Sequence, residues 1–421
     1  MIRSIACASI LGLVVSAGAL VAQQAIRQGK IVKLDVEKNL LTIKSDTGDS
    51  LECMITDETR VMGIDGRPVK ERLKDPALKV DGRVMFRVGK MDGTTAILDG
   101  LRLVDPDKPQ SGDGARGVKA DTSKLVPLNE LGSGKYQDVE GGLYPQGEST
   151  RPARHEAAGI ALANKVQPLD SEGKPGASGK IGLLSIGMSN TSQEFSAFLQ
   201  LARGDRELNP RLVLVNGAQG GMTAAAIQNP DDNGRGTQFW RTVDERLRGA
   251  GVTREQIQAV WLKEADAGPS SGFPKYARTL ESEMQTIVQV LHDRFANLKL
   301  IYLSSRIYAG FASTPLNPEP YAYESGFSVK WLIERQLKGE AALNFDPDQG
   351  TVRAPWLSWG PYLWANGATA RKDGLRYEES DFAPDGTHPS PGGQKKVAEE
   401  LLKFFKTDTT TKKWFVNPAK D

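Results

Sequence analysis

The chain is poor in the residues that most often hold metals. Two of its 421 residues are cysteines, Cys7 and Cys53, and three are histidines. Cys7 lies in an N-terminal segment that we expect to be removed, so no cysteine pair remains for an intrachain disulfide. Cysteine-held metal clusters are excluded, and no group of histidines, cysteines and carboxylates has the spacing of a ligand set. The sequence therefore predicts neither a metal site nor a cofactor.

The sequence also lacks a block of like charges. Its 54 lysines and arginines oppose 52 acidic residues, which gives a formal net charge of +2. A basic stripe of the kind that neutralises phosphates is missing, so we expect no nucleic-acid partner. With 39% hydrophobic and 25% charged residues, the composition is that of a globular protein, and the length predicts two or three domains.

No long apolar run is present, even at the N-terminus. The first 22 residues combine a basic start at Arg3, an apolar run over 10–15, and small residues at Ala17, Ala19 and Ala22. This pattern is typical of a secretory signal peptide, and the apolar run is too short for a membrane span of about 20 residues. We expect a periplasmic or secreted protein without a transmembrane segment once it is processed. A retained N-terminal anchor is the alternative.

Residues 26–105 alternate apolar and polar positions in short runs. KIVKLDV, NLLTIKS and SLECMIT are separated by turn residues, which is typical of strands. GRVMFRVGK and TTAILDGLRLV, joined by Met91-Asp92-Gly93, predict a closing hairpin. About five or six strands in this length predict a small closed β-barrel of the OB-like kind, with Cys53 in its core. The barrel either binds a ligand or acts as a stabilising module, and the lack of an aromatic platform favours the second.

The rest of the chain predicts a linker followed by an α/β domain. The stretch 106–127 is rich in proline, glycine and charge, 128–179 predicts an ordered lead-in, and 411–421 predicts a tail. Between them, buried strands (IGLLSIG, RLVLVNG, IQAVWLK and LKLIYLSSR) alternate with amphipathic helices, the last of which begins after Ser390-Pro391. Repeated units of this kind predict a three-layer, flavodoxin-like α/β fold over 128–410 with a mostly parallel sheet.

Reactive side chains follow the predicted strands, which is where open α/β sheets bind ligands. The first strand leads to Ser189, the second to Gly220 and Gly221, the third to Asp266, and the last helix is preceded by Asp385 and His388. Serine is a weak nucleophile alone and needs an adjacent base that a third group orients. His388 can be that base, and Asp385 can hold its other ring nitrogen. His155 and His292 lie at helical positions that favour capping, surface or packing roles.

These residues resemble the pattern of the SGNH or GDSL-type hydrolases over about residues 180–406. DGTHP at 385–389 is the most specific match, and GMSN at 187–190 is the second. The resemblance implies an SGNH-like fold in which Ser189 attacks an ester, His388 is general base and acid, and Asp385 orients His388. It also implies an oxyanion hole made by the backbone amides of Ser189 and of Gly220 or Gly221, with no cofactor.

Two positions depart from that pattern. Met188 stands where the family has an aspartate, and Asp266 occupies what looks like the position of the family's oxyanion-hole asparagine. A carboxylate there would repel an oxyanion, and a lost donor alone costs about 10²-fold or more in rate. Asp266 could be protonated, the true equivalent could lie elsewhere, Lys263 could supply the donor, or the site could have lost catalysis.

Candidate substrate-binding residues surround this constellation. They are Asn190, Lys263, Arg306, Tyr308 and Trp359. Aromatic residues crowd 356–364, where they predict either a glycan-stacking wall or a packed loop insertion. Glu319 and Glu324 lie in a proline-rich stretch and are expected to be surface charges rather than a glycosidase pair.

The sequence thus supports two functions. The first is a secreted serine esterase that deacylates a carbohydrate or another small ester. The second is a catalytically degenerate protein of the same fold that binds an envelope glycan. The sequence leaves the acyl group, the alcohol and the oligomeric state open.

Overall fold

The computed structural model describes residues 26–45, 50–63, 69, 71–76, 78–104 and 121–418. The chain divides into two compact units, Met1–Ala115 and Arg116–Asp421. The predicted signal peptide, the turn at 46–49 and most of the predicted linker lie outside the described residues. Among the residues that are described, no helix combines the length and apolar character that a membrane span requires.

Six strands build the first unit. They are β1 (Ile26–Asp35), β2 (Leu40–Ser45), β3 (Ser50–Met54), β4 (Arg60–Met62), β5 (Arg83–Asp92) and β6 (Thr95–Val104). The strand order is β3-β2-β1-β5-β6-β4, and β3 also pairs with β6. This additional pairing closes five strands into a barrel, with β4 attached alongside β6, so the predicted small β-barrel is confirmed.

The barrel core follows from the alternation in its strands. In β6 the buried positions Ala96, Leu98, Leu101 and Leu103 alternate with more exposed ones. Cys53 is fully buried among them, as predicted for a small core residue. The period-two pattern therefore directs one face of each strand inward and leaves the other face to solvent.

The second unit contains the remaining helices and strands. In chain order they are α1 (Leu128–Leu131), β7 (Lys135–Tyr136), β8 (Val139–Glu140), α2 (Ala153–Ala163), β9 (Ile181–Gly187), α3 (Ser189–Arg203), β10 (Leu212–Asn216), α4 (Ala224–Ile227), α5 (Arg235–Gly249), β11 (Ile257–Lys263), α6 (Lys275–Arg294), β12 (Leu300–Leu303), α7 (Tyr321–Leu337), β13 (Trp356–Trp359), α8 (Pro391–Thr407) and α9 (Lys412–Phe415).

A five-stranded sheet organises this unit. Its order is β10-β9-β11-β12-β13, and every pairing is parallel. All residues of β9 and β11 are buried, as expected for continuous apolar runs in a parallel sheet. The predicted α/β class with a parallel sheet is confirmed.

Helix α8 begins where the sequence predicts its last helix, and the short α9 follows it along the chain. Ser390 is the N-cap of α8, its hydroxyl accepts from the N–H of Gly393, and Pro391 is the first helical residue. Val397, Leu401 and Phe405 form the buried face of α8. Since this cap fixes the start of α8, it also fixes the end of the loop that carries His388.

Three segments pack more fully than expected. The fifth strand, β13, lies within the predicted aromatic insertion and pairs with β12. The tail begins with α9, whose Trp414 and Phe415 are buried. The end of the predicted linker packs on the second unit, where the Tyr323 hydroxyl donates to the carbonyl of Val126 at 2.9 Å. In each case buried aromatic surface stabilises a segment that looks irregular in sequence.

Candidate active site

Ser189 stands at the junction of β9 and α3, directly above the carboxyl edge of the sheet. Gly187 ends β9, and a Cβ there would lie 2.3 Å from the carbonyl oxygen of Lys263. Only glycine therefore allows this close approach of β9 to β11. The approach turns the chain sharply from strand to helix, and Ser189 is the first residue of α3.

Three side chains form a hydrogen-bonded row at this edge. His388 Nε2 lies 2.9 Å from Ser189 Oγ, and His388 Nδ1 lies 2.5 Å from Asp385 Oδ2. The other oxygen of Asp385 accepts from the backbone N–H groups of Thr387 and His388, both at 3.0 Å. The structure thus brings together Ser189, His388 and Asp385, with the geometry that a nucleophile, a base and an orienting carboxylate require.

The carboxylate of Asp385 is held in its ionised form. Partial burial acts to raise its pKa, but the hydrogen bonds from the His388 ring and from the amides of His388 and Thr387 prevail and lower the pKa to about 2. An ionised Asp385 accepts a hydrogen bond from the Nδ1–H group of His388, which leaves Nε2 as the acceptor that faces Ser189. The side chains of His388 and Asp385 are 25% and 33% exposed, so the row is open to solvent on one side.

The loop that carries the histidine is fixed from three directions. The N–H of Ser313 donates to the carbonyl of Asp385 at 3.0 Å. Gly386 has a φ of +64°, and a Cβ there would lie 1.9 Å from the carbonyl oxygen of Phe311. The Asn190 side chain donates to the carbonyl of Thr387 at 3.0 Å and is 2% exposed. Asn190 therefore links helix α3 to the His388 loop, and its role as a substrate-binding residue stays a prediction.

The Gly220-Gly221 turn lies beside the nucleophile. A Cβ on Gly220 would be 3.9 Å from Ser189 Cβ, and the N–H of Gln219 donates to the carbonyl of Gly187 at 2.9 Å. Arg235, at the start of α5, donates through Nη2 to the carbonyl of Gly221. Within the described residues, neither the N–H of Ser189 nor that of Gly220 donates a hydrogen bond to another backbone group.

The carboxylate of Asp266 accepts a hydrogen bond from the backbone. Its Oδ1 accepts from the N–H of Ala225 at the start of α4, at 3.1 Å. Burial and the neighbouring Asp266 raise the pKa of Glu283 to about 9. Asp266 thus accepts a hydrogen bond from the start of α4, and its place in the oxyanion hole stays a prediction.

The ammonium group of Lys263 is also held by another residue of the chain. Its side chain is 1% exposed and pairs with Glu194 of α3, at 2.7 Å and 2.5 Å to the two carboxylate oxygens. Burial lowers the pKa of Lys263 to about 8, against the opposing effect of Glu194. The ammonium group of Lys263 is held in this buried ion pair, and its two predicted roles, oxyanion donor and substrate contact, stay predictions.

The remaining predicted substrate contacts are core residues. Arg306 is 3% exposed, and Trp359 is 3% exposed with its indole N–H donating to the carbonyl of Leu143 at 2.7 Å. The Tyr308 hydroxyl lies 3.2 Å from Thr122 Oγ1, and its ring is 8% exposed. Tyr308 and Trp359 therefore make contacts within the chain, and the substrate-binding roles of these three residues stay predictions.

The predicted aromatic wall is likewise a packed core. Trp356, Tyr362 and Trp364 are all buried, so the packed alternative is confirmed. Glu319 is buried too, and it accepts from the Trp364 indole at 2.7 Å and from the N–H of Ala309 at 2.9 Å. With Glu324 also 1% exposed, the expectation of surface carboxylates is wrong.

His155 packs in this same region. It is 5% exposed, stacks on Trp356 with ring centroids 4.8 Å apart, and Nε2 lies 2.7 Å from the carbonyl of Leu357. Burial lowers its pKa to about 4. Of the two minor histidines, His155 therefore has a packing role. Within the described residues, no three or more histidines, cysteines and carboxylates are grouped as metal ligands.

Sequence reasoning missed two positioning residues, Glu194 and Arg235. Glu194 lies next to Phe195 and one turn before Phe198, both fully buried. A carboxylate on that apolar face of α3 was the available signal that a buried partner exists. Arg235 gave no signal, because its contact with Gly221 joins two loops whose proximity depends on the fold.

Comparisons with known proteins give matches to solved structures at low sequence identity. The chain matches no protein-family model and no curated protein sequence. A lipase from a goat rumen metagenome is 12% identical with a TM-score of 0.32, over 53% of this chain and 97% of that chain. The periplasmic domain of a lipopolysaccharide acetyltransferase from Salmonella ser. Paratyphi A is 12% identical with a TM-score of 0.30, over 59% and 95%. CusF with Ag(I) from Escherichia coli is 18% identical with a TM-score of 0.15, over 20% and 99%.

Proposed function

We propose that this chain is a secreted serine ester hydrolase of the SGNH type, which deacylates a carbohydrate or another small ester. The observation that carries the proposal is the hydrogen-bonded row of Ser189, His388 and Asp385. The resemblance of GMSN and DGTHP to the family's motifs supports it. We also propose that the α/β unit is arranged in three layers. The first 22 residues would direct export.

Acylation begins at Ser189. Its Oγ attacks the ester carbonyl carbon while its proton moves to Nε2 of His388, and the carbonyl electron pair moves to the oxygen. Asp385 stabilises the imidazolium that results, because it stays ionised throughout. The oxyanion then re-forms the carbonyl, the bond to the alcohol oxygen breaks, and Nε2 returns its proton to that oxygen.

Deacylation repeats these steps with water. Nε2 of His388 removes a proton from a water molecule as its oxygen attacks the acyl carbon. The second tetrahedral intermediate collapses, the bond to Ser189 Oγ breaks, and Nε2 protonates that oxygen. The carboxylic acid leaves and the starting hydroxyl is restored, so the cycle consumes one water and one ester.

Two backbone donors would stabilise the oxyanion. The N–H groups of Ser189 and Gly220 adjoin the nucleophile and are not used by other backbone groups in the described residues. A third donor from Asp266 is missing, and the loss of one such donor costs about 10²- to 10³-fold in kcat. We therefore expect activity on esters with good leaving groups and little or none on amides.

Hydrolysis of 4-nitrophenyl acetate by the full chain tests the proposal. Ser189→Ala and His388→Ala should each abolish the rate, whereas Ser282→Ala, an exposed serine on α6, should leave it unchanged. A fluorophosphonate should label the unaltered chain and not Ser189→Ala, because labelling requires an activated serine. Circular dichroism of each variant establishes that the fold is retained.

A folded chain with neither hydrolysis nor labelling would favour the other candidate, a binding protein with a degenerate site. The missing Asp266 donor is the observation that favours that candidate. Export is tested separately, by N-terminal sequencing of protein recovered from a periplasmic extract. A start beyond Ala22 supports export, and recovery of the complete N-terminus in the cytosol contradicts it.

A further inference from the structure

A groove of about 520 Å³ lies on the outer face of the barrel, formed by β4, β5 and β6. The side chains that border it alternate with buried core residues along each strand. Arg60, Met62, Met85, Arg87 and Arg102 line it from three strands. Such a concentration of arginine on one face of a small barrel has no role in the barrel core, so it points to a ligand.

Strand register orders these side chains into two rows. Gly100 of β6 pairs with Arg60 on one side and with Arg87 on the other. Arg102 pairs in the same way with Met62 and Met85. Neighbouring strands lie about 4.8 Å apart, so the Cα atoms of Arg60 and Arg87 are about 10 Å apart across a glycine. The glycine leaves a floor without a side chain between two guanidinium groups.

Two of the three arginines around this glycine floor make no ion pair in the part of the chain that the structure describes. Arg60 and Arg102 are exposed and make no ion pair within the described residues. Arg87 Nε lies 3.5 Å from Asp99 Oδ2, and both side chains are about half exposed. Glu58 also borders the groove, but the terminal nitrogens of the arginines stay available for planar, paired contacts with carboxylates.

We propose that this groove binds an acidic oligosaccharide, whose carboxylates are held by Arg60 and Arg87. Met62 and Met85 supply apolar surface against which the C–H face of a sugar can pack. Nucleic acid fits less well, because base recognition uses exposed aromatic rings, and the one ring at the groove, Phe86, is 1% exposed. This inference is independent of the proposed esterase activity.

Isothermal titration of the full chain with tetragalacturonate tests the proposal, with neutral maltotetraose as the comparison. Tetragalacturonate should bind and maltotetraose should not. The double variant Arg60→Gln with Arg87→Gln should weaken binding by about tenfold or more, which corresponds to about 1.4 kcal/mol. The matched control is Lys33→Gln with Lys44→Gln, two exposed lysines on β1 and β2, which should leave the affinity unchanged.

A second variant guards against misfolding of the first. Gly100→Val adds a side chain to the floor, where a Cβ meets only the carbonyl oxygen of Arg60 at 3.8 Å, so the barrel should fold while binding is lost. Absent binding of tetragalacturonate would overturn the proposal, as would an equal loss in the lysine control or equal binding of maltotetraose. Tighter binding of a short single-stranded oligonucleotide would also overturn it, in favour of a nucleic-acid site.

Discussion

Substitutions in the buried ion pair between Glu194 and Lys263 test how α3, which begins with Ser189, is held on the sheet. Glu194 lies on α3, five residues after Ser189, and Lys263 is the last residue of β11. Thr191 Oγ1 adds a second link between the same elements, because it donates to the carbonyl of Lys263 at 2.7 Å. The first two turns of α3 are therefore attached to the end of β11 by two polar contacts.

Glu194→Gln should destabilise the fold strongly. The two side chains are 0% and 1% exposed, and removing one partner of a buried pair costs about 3–5 kcal/mol, since the other charge stays buried. Burial raises the pKa of Glu194 and lowers that of Lys263 to about 8, in both cases against the attraction between them. Desolvation thus exceeds the mutual attraction. For that reason the double variant Glu194→Leu with Lys263→Met should be close to the unaltered chain in stability.

Urea unfolding followed by tryptophan fluorescence measures the unfolding free energies of the single variant, the double variant and the unaltered chain. Glu172→Gln is the matched control, because it removes an exposed pair with Lys174 and should cost less than about 1 kcal/mol. A loss below about 1 kcal/mol for Glu194→Gln would refute the reasoning. A double variant as unstable as the single one would refute the claim that desolvation dominates. Esterase activity measured alongside shows whether α3 still presents Ser189.

Three further outcomes are expected. Asp385→Asn should lower kcat by about 10⁴-fold with little change in KM, since a carboxamide favours the wrong His388 tautomer; unchanged kcat would contradict the orienting role. Glu283 should contribute a negative slope to the unfolding free energy as pH rises from about 4.5 towards 9, because the folded chain binds the Glu283 proton more tightly. Glu283→Gln should flatten that slope in urea titrations at several pH values, and parallel curves would count against it. Arg235→Gln should release the Gly221 carbonyl and lower kcat by up to about 10²-fold without loss of stability, whereas Arg241→Gln on the same helix should match the unaltered chain.

Short-range patterns were enough to predict the elements that carry the site. The run IGLLSIG and the Ser390-Pro391 cap depend on neighbouring residues only, and both appear where they were expected. The DxxH spacing also works locally: Asp385 accepts from the amide of His388 and holds its ring through the other oxygen. A three-residue loop therefore specifies most of its own geometry.

The side chains that are buried against expectation share one cause. Each is polar or aromatic, and its partner lies far away in sequence, as for Lys263 with Glu194 or Glu319 with Trp364. A charge after a strand is expected to be exposed unless a partner is known, and the partner is set by packing. Likewise, WLSW is too short to distinguish a strand from a loop, and only its pairing with β12 defines β13.

The two departures from the hydrolase pattern act in opposite directions on the oxyanion. Asp266 removes a donor, because its carboxylate accepts from Ala225. Met188 is the N-cap residue of α3 and places no side-chain acceptor on the first N–H groups of that helix. An aspartate there would cap these groups and add a negative charge next to Ser189, whereas Met188 leaves the positive end of the helix dipole uncompensated beside the nucleophile. For the proposed esterase, this positive end offsets part of the loss at Asp266, and we expect the oxyanion to depend on the backbone of α3 and the Gly220 turn more than on any side chain.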